Sequence, residues 1–177
     1  MTITPRRLIA KYYPYIFFGC IILLFVFMVN LKDKNQYTNR KYKYSVRFPD
    51  GWIRDDVKPR AVSYIAPDRL PVSDVSEAAL TIVIDERYGE IDLNGHFNIL
   101  VRDLVQTGAQ ILNNGVGYVG REPSLWVEFT DANGLEHHVW YVLFNRTNKL
   151  LIIQYRVASD YIEQYRSAFK KFLESYK

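Results

Sequence analysis

Three side chains in the C-terminal half, Glu128, His137 and Arg156, are of the types that general acid–base chemistry uses. A carboxylate and an imidazole can exchange a proton, while a guanidinium holds an anionic group or a developing negative charge. If the strands carrying them share a face, Trp126, Tyr141 and Gln154 join them in one mixed polar and aromatic surface. The same residue types also make ordinary cross-strand pairs, and aromatic and Arg side chains dominate binding energy at interfaces. The surface is therefore expected to bind a partner or ligand, and the chain is expected not to be an enzyme. Other chemistries lack their residues. There is no Gly-x-Ser-x-Gly elbow, and the only cysteine, Cys20, lies inside an apolar run. No His-Glu-x-x-His spacing occurs. His137 and His138 are adjacent, so on a strand they point to opposite faces and cannot jointly hold one ion. No metal and no cofactor is expected.

The elements that must position this surface are two hairpins. Ser124–Thr130 and Leu135–Phe144 flank Asp131-Ala132-Asn133-Gly134, and Asn-Gly is a strong hairpin signal. With Asn133 and Gly134 as a two-residue loop, Ala132 pairs with Leu135 and Phe129 lies opposite His138. A second turn around Arg146-Thr147 pairs Phe144 with Lys149 and leads into Leu150–Val157. That register collects Leu125, Val127, Phe129, His138, Trp140, Val142, Phe144, Leu151, Ile153, Tyr155 and Val157 on one face, under the helices. The opposite face then carries Trp126, Glu128, Thr130, His137, Val139, Tyr141, Gln154 and Arg156.

The first half supplies the rest of the domain. Tyr42, Tyr44, Val46 and Phe48 alternate with polar residues, the period-2 pattern of a half-buried strand, which Pro49-Asp50-Gly51 ends before Trp52. Short strands are expected at Ala61–Ile65 and Ala79–Asp85, around a loop from Pro67 to Asp74. Asp92 caps a helix whose stripe is Phe97, Leu100, Val101, Leu104 and Val105, and Gly108 stops it. Asp160 and Glu163 form an Asp-x-x-Glu variant of the capping box. They open a last helix with Ile162, Tyr165, Phe169, Phe172, Leu173 and Tyr176 on one side. Both helices and the sheet have complementary apolar faces, so residues 36–177 are expected to fold alone as a monomer.

The stretch 12–31 sets this domain apart from an ordinary soluble one. It has no formal charge, is dominated by Ile, Leu, Phe and Val, and lies between Lys11 and Lys32. At about 1.5 Å of rise per residue it matches the roughly 30 Å hydrocarbon core of a bilayer. No A-x-A cleavage site follows it, so it is expected to stay as a signal anchor. Tyr12, Tyr13 and Tyr15 suit the headgroup level. The order is then a basic N-terminus over 1–11, a membrane anchor over 12–31, a linker over 32–40 and the domain over 41–177. Basic residues flank the run on both sides. Folded domains translocate largely regardless of charge, so the N-terminus is expected in the cytoplasm and the domain on the periplasmic or lumenal side.

The net charge of +4 includes Arg6, Arg7 and Lys11, with no acidic residue before Asp33. The remainder is close to neutral and lacks the clustered basic stripe that phosphate contacts require, which excludes nucleic acid as a partner. With its only cysteine in the apolar run, the domain forms no disulfide.

Over roughly 36–177 the chain resembles the PsbP family, the extrinsic photosystem II proteins and their bacterial relatives. The likeness rests on Tyr42-Lys43-Tyr44-Ser45-Val46-Arg47-Phe48-Pro49-Asp50-Gly51-Trp52, with its Pro-x-x-Trp turn. It continues in the helix that ends near Gly108, in Val119-Gly120-Arg121-Glu122-Pro123 before a strand, and in Ser167-Ala168-Phe169 with Phe172. The resemblance implies an α+β fold, an αβα sandwich around an antiparallel sheet. It also implies a role in binding that supports assembly or stability of a membrane complex or an exported partner. The alternatives are a receptor for a small molecule or ion and, behind it, an enzyme using the Glu128, His137 and Arg156 face.

Overall fold

The computed structural model describes Ile21, residues 35–68, 70, 76–86, 92–137 and 149–177, and the backbone of 138–144. Cα packing separates two units, Met1–Lys34 and Asn35–Lys177. Apart from Ile21, the run 12–31 lies outside the described residues. Among the described residues, no helix is long and apolar enough to cross a membrane.

In the second unit, β1 (Gln36–Asn39) and β2 (Tyr44–Arg47) form a two-stranded antiparallel sheet. Strand β1 falls in the stretch expected to be a linker. A seven-stranded sheet holds β3 (Ile53–Lys58), β4 (Ala61–Ile65), β5 (Ala78–Asp85), β6 (Gln110–Val119), β7 (Glu122–Thr130), β8 (Leu135–Phe144) and β9 (Lys149–Ala158). Its spatial order is β3-β4-β5-β9-β8-β7-β6, antiparallel throughout.

Helix α1 (Leu93–Gln106) links β5 to β6 and begins as expected, with Asp92 Oδ1 accepting from the Gly95 N–H at 2.6 Å. It ends where Gly108 takes a φ of +84°, the left-handed conformation that glycine adopts without a Cβ penalty. Helix α2 (Ile162–Glu174) differs at its start. A 3-10 turn, Ser159–Tyr161, precedes it, and no side chain caps it. Asp160 lies in that turn and Glu163 bonds Arg166 at 2.7 Å, so the expected capping box does not form.

The helices cover opposite sheet faces. Phe97, Leu100, Val101 and Leu104 of α1 pack with Leu125, Val127, Phe129 and Leu150. Tyr165, Phe169 and Phe172 of α2 pack with Leu151, Ile153, Tyr155 and Val157, and with Leu80, Ile82 and Ile84 of β5. Burying each such side chain contributes roughly 1.5–3 kcal/mol. The hairpin β1–β2 closes the same core with Tyr44, Val46 and Phe48. The C-terminus pairs with β2, the N–H of Ser45 and of Lys177 each donating to the other's carbonyl at 3.0 Å.

The β8–β9 register is the expected one, Phe144 facing Lys149 and His138 facing Tyr155. The β7–β8 register is shifted by one residue, so that Phe129 faces His137, and Glu128 faces His138. The loop explains the shift. Asp131 N–H donates to Leu135 O and Gly134 N–H to Asp131 O, both at 3.0 Å. This makes a three-residue loop, with Gly134 at φ +77° in the left-handed position. A slip of one residue moves every side chain of β7 to the other face. Leu125, Val127 and Phe129 therefore lie on the α1 face. Leu151, Ile153, Tyr155 and Val157, expected beside them, lie on the α2 face.

Candidate binding grooves

The same shift divides the mixed surface. Register places His137, Tyr141, Gln154 and Arg156 on the α1 face, and Trp126 and Glu128 on the α2 face. Glu128, His137 and Arg156 are therefore not on one face, and the acid–base cluster does not assemble. Trp126 lies over Gly115, where a Cβ would meet its indole at 3.0 Å, and its Nε1–H donates to Val116 O at 3.4 Å.

His137 is buried, at 7% exposure, and both ring nitrogens have partners. Nε2 lies 2.9 Å from Asp131 Oδ2, and Nδ1 lies 3.1 Å from Gln154 Nε2. Beside a carboxylate and an amide N–H donor, the fitting form is the neutral imidazole protonated on Nε2. Its ring stacks on Phe129 at 4.8 Å between centroids. Burial opposes ionisation of Asp131, but bonds from His137 and from the Leu135 and Asn133 N–H groups outweigh it and hold its carboxyl below the ordinary value. His137, bonded on both sides, thus pins the hairpin; the His138 side chain lies outside the described residues.

Among the described residues, helix α1 does not cover the β3–β4–β5 side of its face. There Asp55, Ser63, Ile65, Ala79, Thr81, Gln154 and Arg156 line a groove of about 160 Å³. Ser63 Oγ and Thr81 Oγ1 are 3.1 Å apart, so the floor is a row of hydroxyls between an acid and a guanidinium. Of the six expected binding residues, Gln154 and Arg156 line this groove.

A larger groove, about 770 Å³, lies on the other face between the turn after β2 and helix α2. Its floor is Trp52, Tyr165 and Phe172, and its rim includes Arg47, Asp50, Lys171 and Glu174. Trp52 meets Tyr165 edge-on at 5.9 Å. The Tyr165 hydroxyl donates to Glu77 Oε2 at 2.9 Å, and burial followed by that carboxylate pushes it above its ordinary value. Asn35 secures the turn through Pro49 O at 3.2 Å and Asp50 Oδ1 at 3.0 Å. Sequence reasoning missed this groove, although Pro49-Asp50-Gly51-Trp52 was a visible signal. Its walls come from opposite ends of the domain, Ser175 Oγ accepting from the Arg47 N–H at 2.8 Å.

At another corner Glu86 gathers the Tyr42 hydroxyl, Lys41 at 3.1 Å, Arg60, and Lys149 at 3.7 Å. The bonds from Tyr42 and Lys41, then the Arg60 and Lys149 charges, lower its carboxyl to about 2. A depressed value means a contribution to stability that is present above the ordinary 4.5 and lost as pH falls towards 2. Glu86→Gln is therefore expected to flatten the fall of the urea midpoint between about pH 4.5 and 2. An unchanged acid limb would show that the cluster is not coupled to folding.

No family model matches the sequence, and no curated protein matches it. Solved structures do. The cyanobacterial PsbP of Synechocystis sp. PCC 6803 superposes with a TM-score of 0.57 at 19% identity, over 80% of this chain and 90% of that one. LpqN of Mycobacterium tuberculosis, involved in cell envelope biogenesis, gives 0.60 at 12%, over 76% and 82%. The Ran-binding protein Mog1p of Saccharomyces cerevisiae gives 0.54 at 11%, over 80% and 93%. The fold implied by the PsbP resemblance is the fold found.

Proposed function

From a domain with a PsbP-like fold, we propose that this protein is a non-enzymatic interaction module, anchored by residues 12–31. In this reading the domain lies on the extracytoplasmic side and supports a membrane complex or exported partner. The observation that carries it is the groove between the Pro49–Trp52 turn and α2. An aromatic floor of Trp52, Tyr165 and Phe172 inside a charged rim has the anatomy of a protein interface, apolar at the centre and polar around it. Asn35, the first residue of this unit, bonds that same turn and holds the groove's edge in place. Two neighbours support the reading by their descriptions, one a Ran-binding protein and the other involved in envelope biogenesis.

The test is affinity capture of the tagged full chain from solubilised membranes. Ser167→Arg with Lys171→Glu, both exposed groove positions, is expected to weaken capture of a stable partner at least about tenfold, the scale of a lost hot spot. The thermal midpoint should be kept. Undiminished capture would remove the groove from recognition. Carbonate is expected to leave the chain in the membrane, and release by carbonate would refute the anchor. A second reading, a receptor for a small polar molecule or ion, rests on the 160 Å³ groove with Asp55, Thr81, Gln154 and Arg156. It requires ligand-dependent thermal stabilisation that Arg156→Ala abolishes.

A further inference from the structure

The two outer strands of the seven-stranded sheet are unlike. Strand β3, Ile53-Arg54-Asp55-Asp56-Val57-Lys58, is short, mostly charged and irregular between Arg54 and Asp56. Its short length and its charges are devices that keep another strand from adding to an edge. Antiparallel self-pairing of β3 would also bring Asp55 opposite Asp56 of a second copy, a like-charge contact. Strand β6, Gln110-Ile111-Leu112-Asn113-Asn114-Gly115-Val116-Gly117-Tyr118-Val119, has ten residues and no charge or proline, and its own irregularity, between Ile111 and Asn113, leaves Asn114–Val119 in regular register with β7. Among the described residues it is the outermost strand on its side. It exposes Val116 at 80%, Tyr118 at 74% and Leu112 at 48%.

We propose that β6 is a self-pairing edge: two copies of this chain join antiparallel through Gln110–Val119, about a two-fold axis near Gly115 and Val116. Each seven-stranded sheet continues into the other. The occupant is a second copy because an uncharged strand meets itself in reverse without like-charge contacts, and because Val116 and Tyr118 of both copies then cover each other. An open edge presents N–H and C=O groups that another extended segment pairs in ladder geometry; near the axis the Asn114 N–H bonds Asn113 Oδ1 at 3.0 Å and Val116 O accepts from Trp126 at 3.4 Å, local bonds that the pairing would exchange for ladder bonds. Among the described residues, the seven-stranded sheet has one receptive edge and one guarded edge. An isologous β6 contact therefore closes at two copies, whereas a β6-to-β3 contact would propagate. This replaces the monomer expected from the sequence and is independent of the proposed partner groove. A ten-residue strand contact is small beside the roughly 1,200–2,000 Å² of a standard interface, so the dimer should dissociate on dilution.

The full chain in detergent, carrying Cys20→Ser and Val116→Cys, is expected to give a covalent dimer with a short bismaleimide. Directly opposed or diagonal positions near the axis lie within about 5–8 Å. Cys20→Ser with Asp55→Cys, on the guarded edge, should stay monomeric. Sedimentation of the chain with native β6 should show a concentration-dependent dimer that Val116→Lys with Tyr118→Lys abolishes, the circular dichroism spectrum being kept. Absence of cross-linking at Val116→Cys would overturn the proposal, as would equal cross-linking at Asp55→Cys. So would a dimer that survives both lysines, since it would form through the apolar run or another surface. The cross-link does not depend on the lysine variant, so a folding defect there leaves the result decisive.

Discussion

Phe48→Ala is expected to lower the stability of the Asn35–Lys177 unit by about 3–5 kcal/mol, the range for emptying a buried Phe site. Phe48 is 1% exposed. Its ring stacks on Tyr64 at 3.8 Å between centroids and meets Phe172 of α2 at 5.1 Å. One side chain thus joins β4 to α2 at the point where the chain leaves the β1–β2 hairpin, its own N–H donating to Asn35 O at 2.9 Å. Truncation removes ring contacts on two sides and leaves a cavity that Tyr64 and Phe172 cannot both close, because each is fixed by its own backbone. Urea unfolding followed by tryptophan fluorescence measures the effect. Phe48→Leu, which keeps most of the volume, should cost under half as much. A loss below about 1 kcal/mol for the alanine variant would mean that the hairpin and α2 share no common core. Because Phe48 also lines the larger groove, the alanine variant should bind the proposed partner more weakly even where it remains folded.

What the sequence revealed, and what it hid, follows from how local each determinant is. Helix α1 was legible because its cap Asp92, its apolar stripe and its stop at Gly108 all lie within one short stretch. The β8–β9 pairing was legible because the turn signal Arg146-Thr147 lies midway between Phe144 and Lys149, the residues that pair. The β7–β8 register was not. Asp131-Ala132-Asn133-Gly134 supports both a two-residue and a three-residue loop, and the choice is made by the Asp131 carboxylate, not by Asn-Gly. Strands β3 and β6 escaped because an edge strand, with much of its surface in solvent, need not alternate. Asn113, Asn114, Gly115 and Gly117 read as loop residues unless β7 is already beside them. The larger groove was hidden for a related reason. Trp52 and Tyr165 meet only after the whole sheet has formed between them in sequence.

Asp131→Ala is expected to cost about 2–4 kcal/mol, combining lost hydrogen bonds to a carboxylate with a buried imidazole N–H left unsatisfied. Asp131 Oδ1 accepts from the Asn133 N–H at 2.8 Å and the Leu135 N–H at 3.1 Å, while Oδ2 faces His137 Nε2 at 2.9 Å. The carboxylate therefore shapes the loop and fixes the imidazole that Gln154 holds from the other side. Asp131→Asn should cost less. An amide oxygen still accepts from the two loop N–H groups, but its NH₂ then faces Nε2, so the imidazole must move its proton to Nδ1 and the Gln154 amide must turn. Nitrogen chemical shifts of the ring would report that change of tautomer directly. The pH dependence has a defined sign. The folded value of Asp131 lies below the ordinary 3.8, so the advantage of the native chain over Asp131→Asn is complete above about pH 4 and lost as pH falls through the folded value. If Asp131→Ala cost less than about 0.5 kcal/mol, the carboxylate would not determine the register. His137 and Phe129 would then have to be held on one face by α1 packing alone.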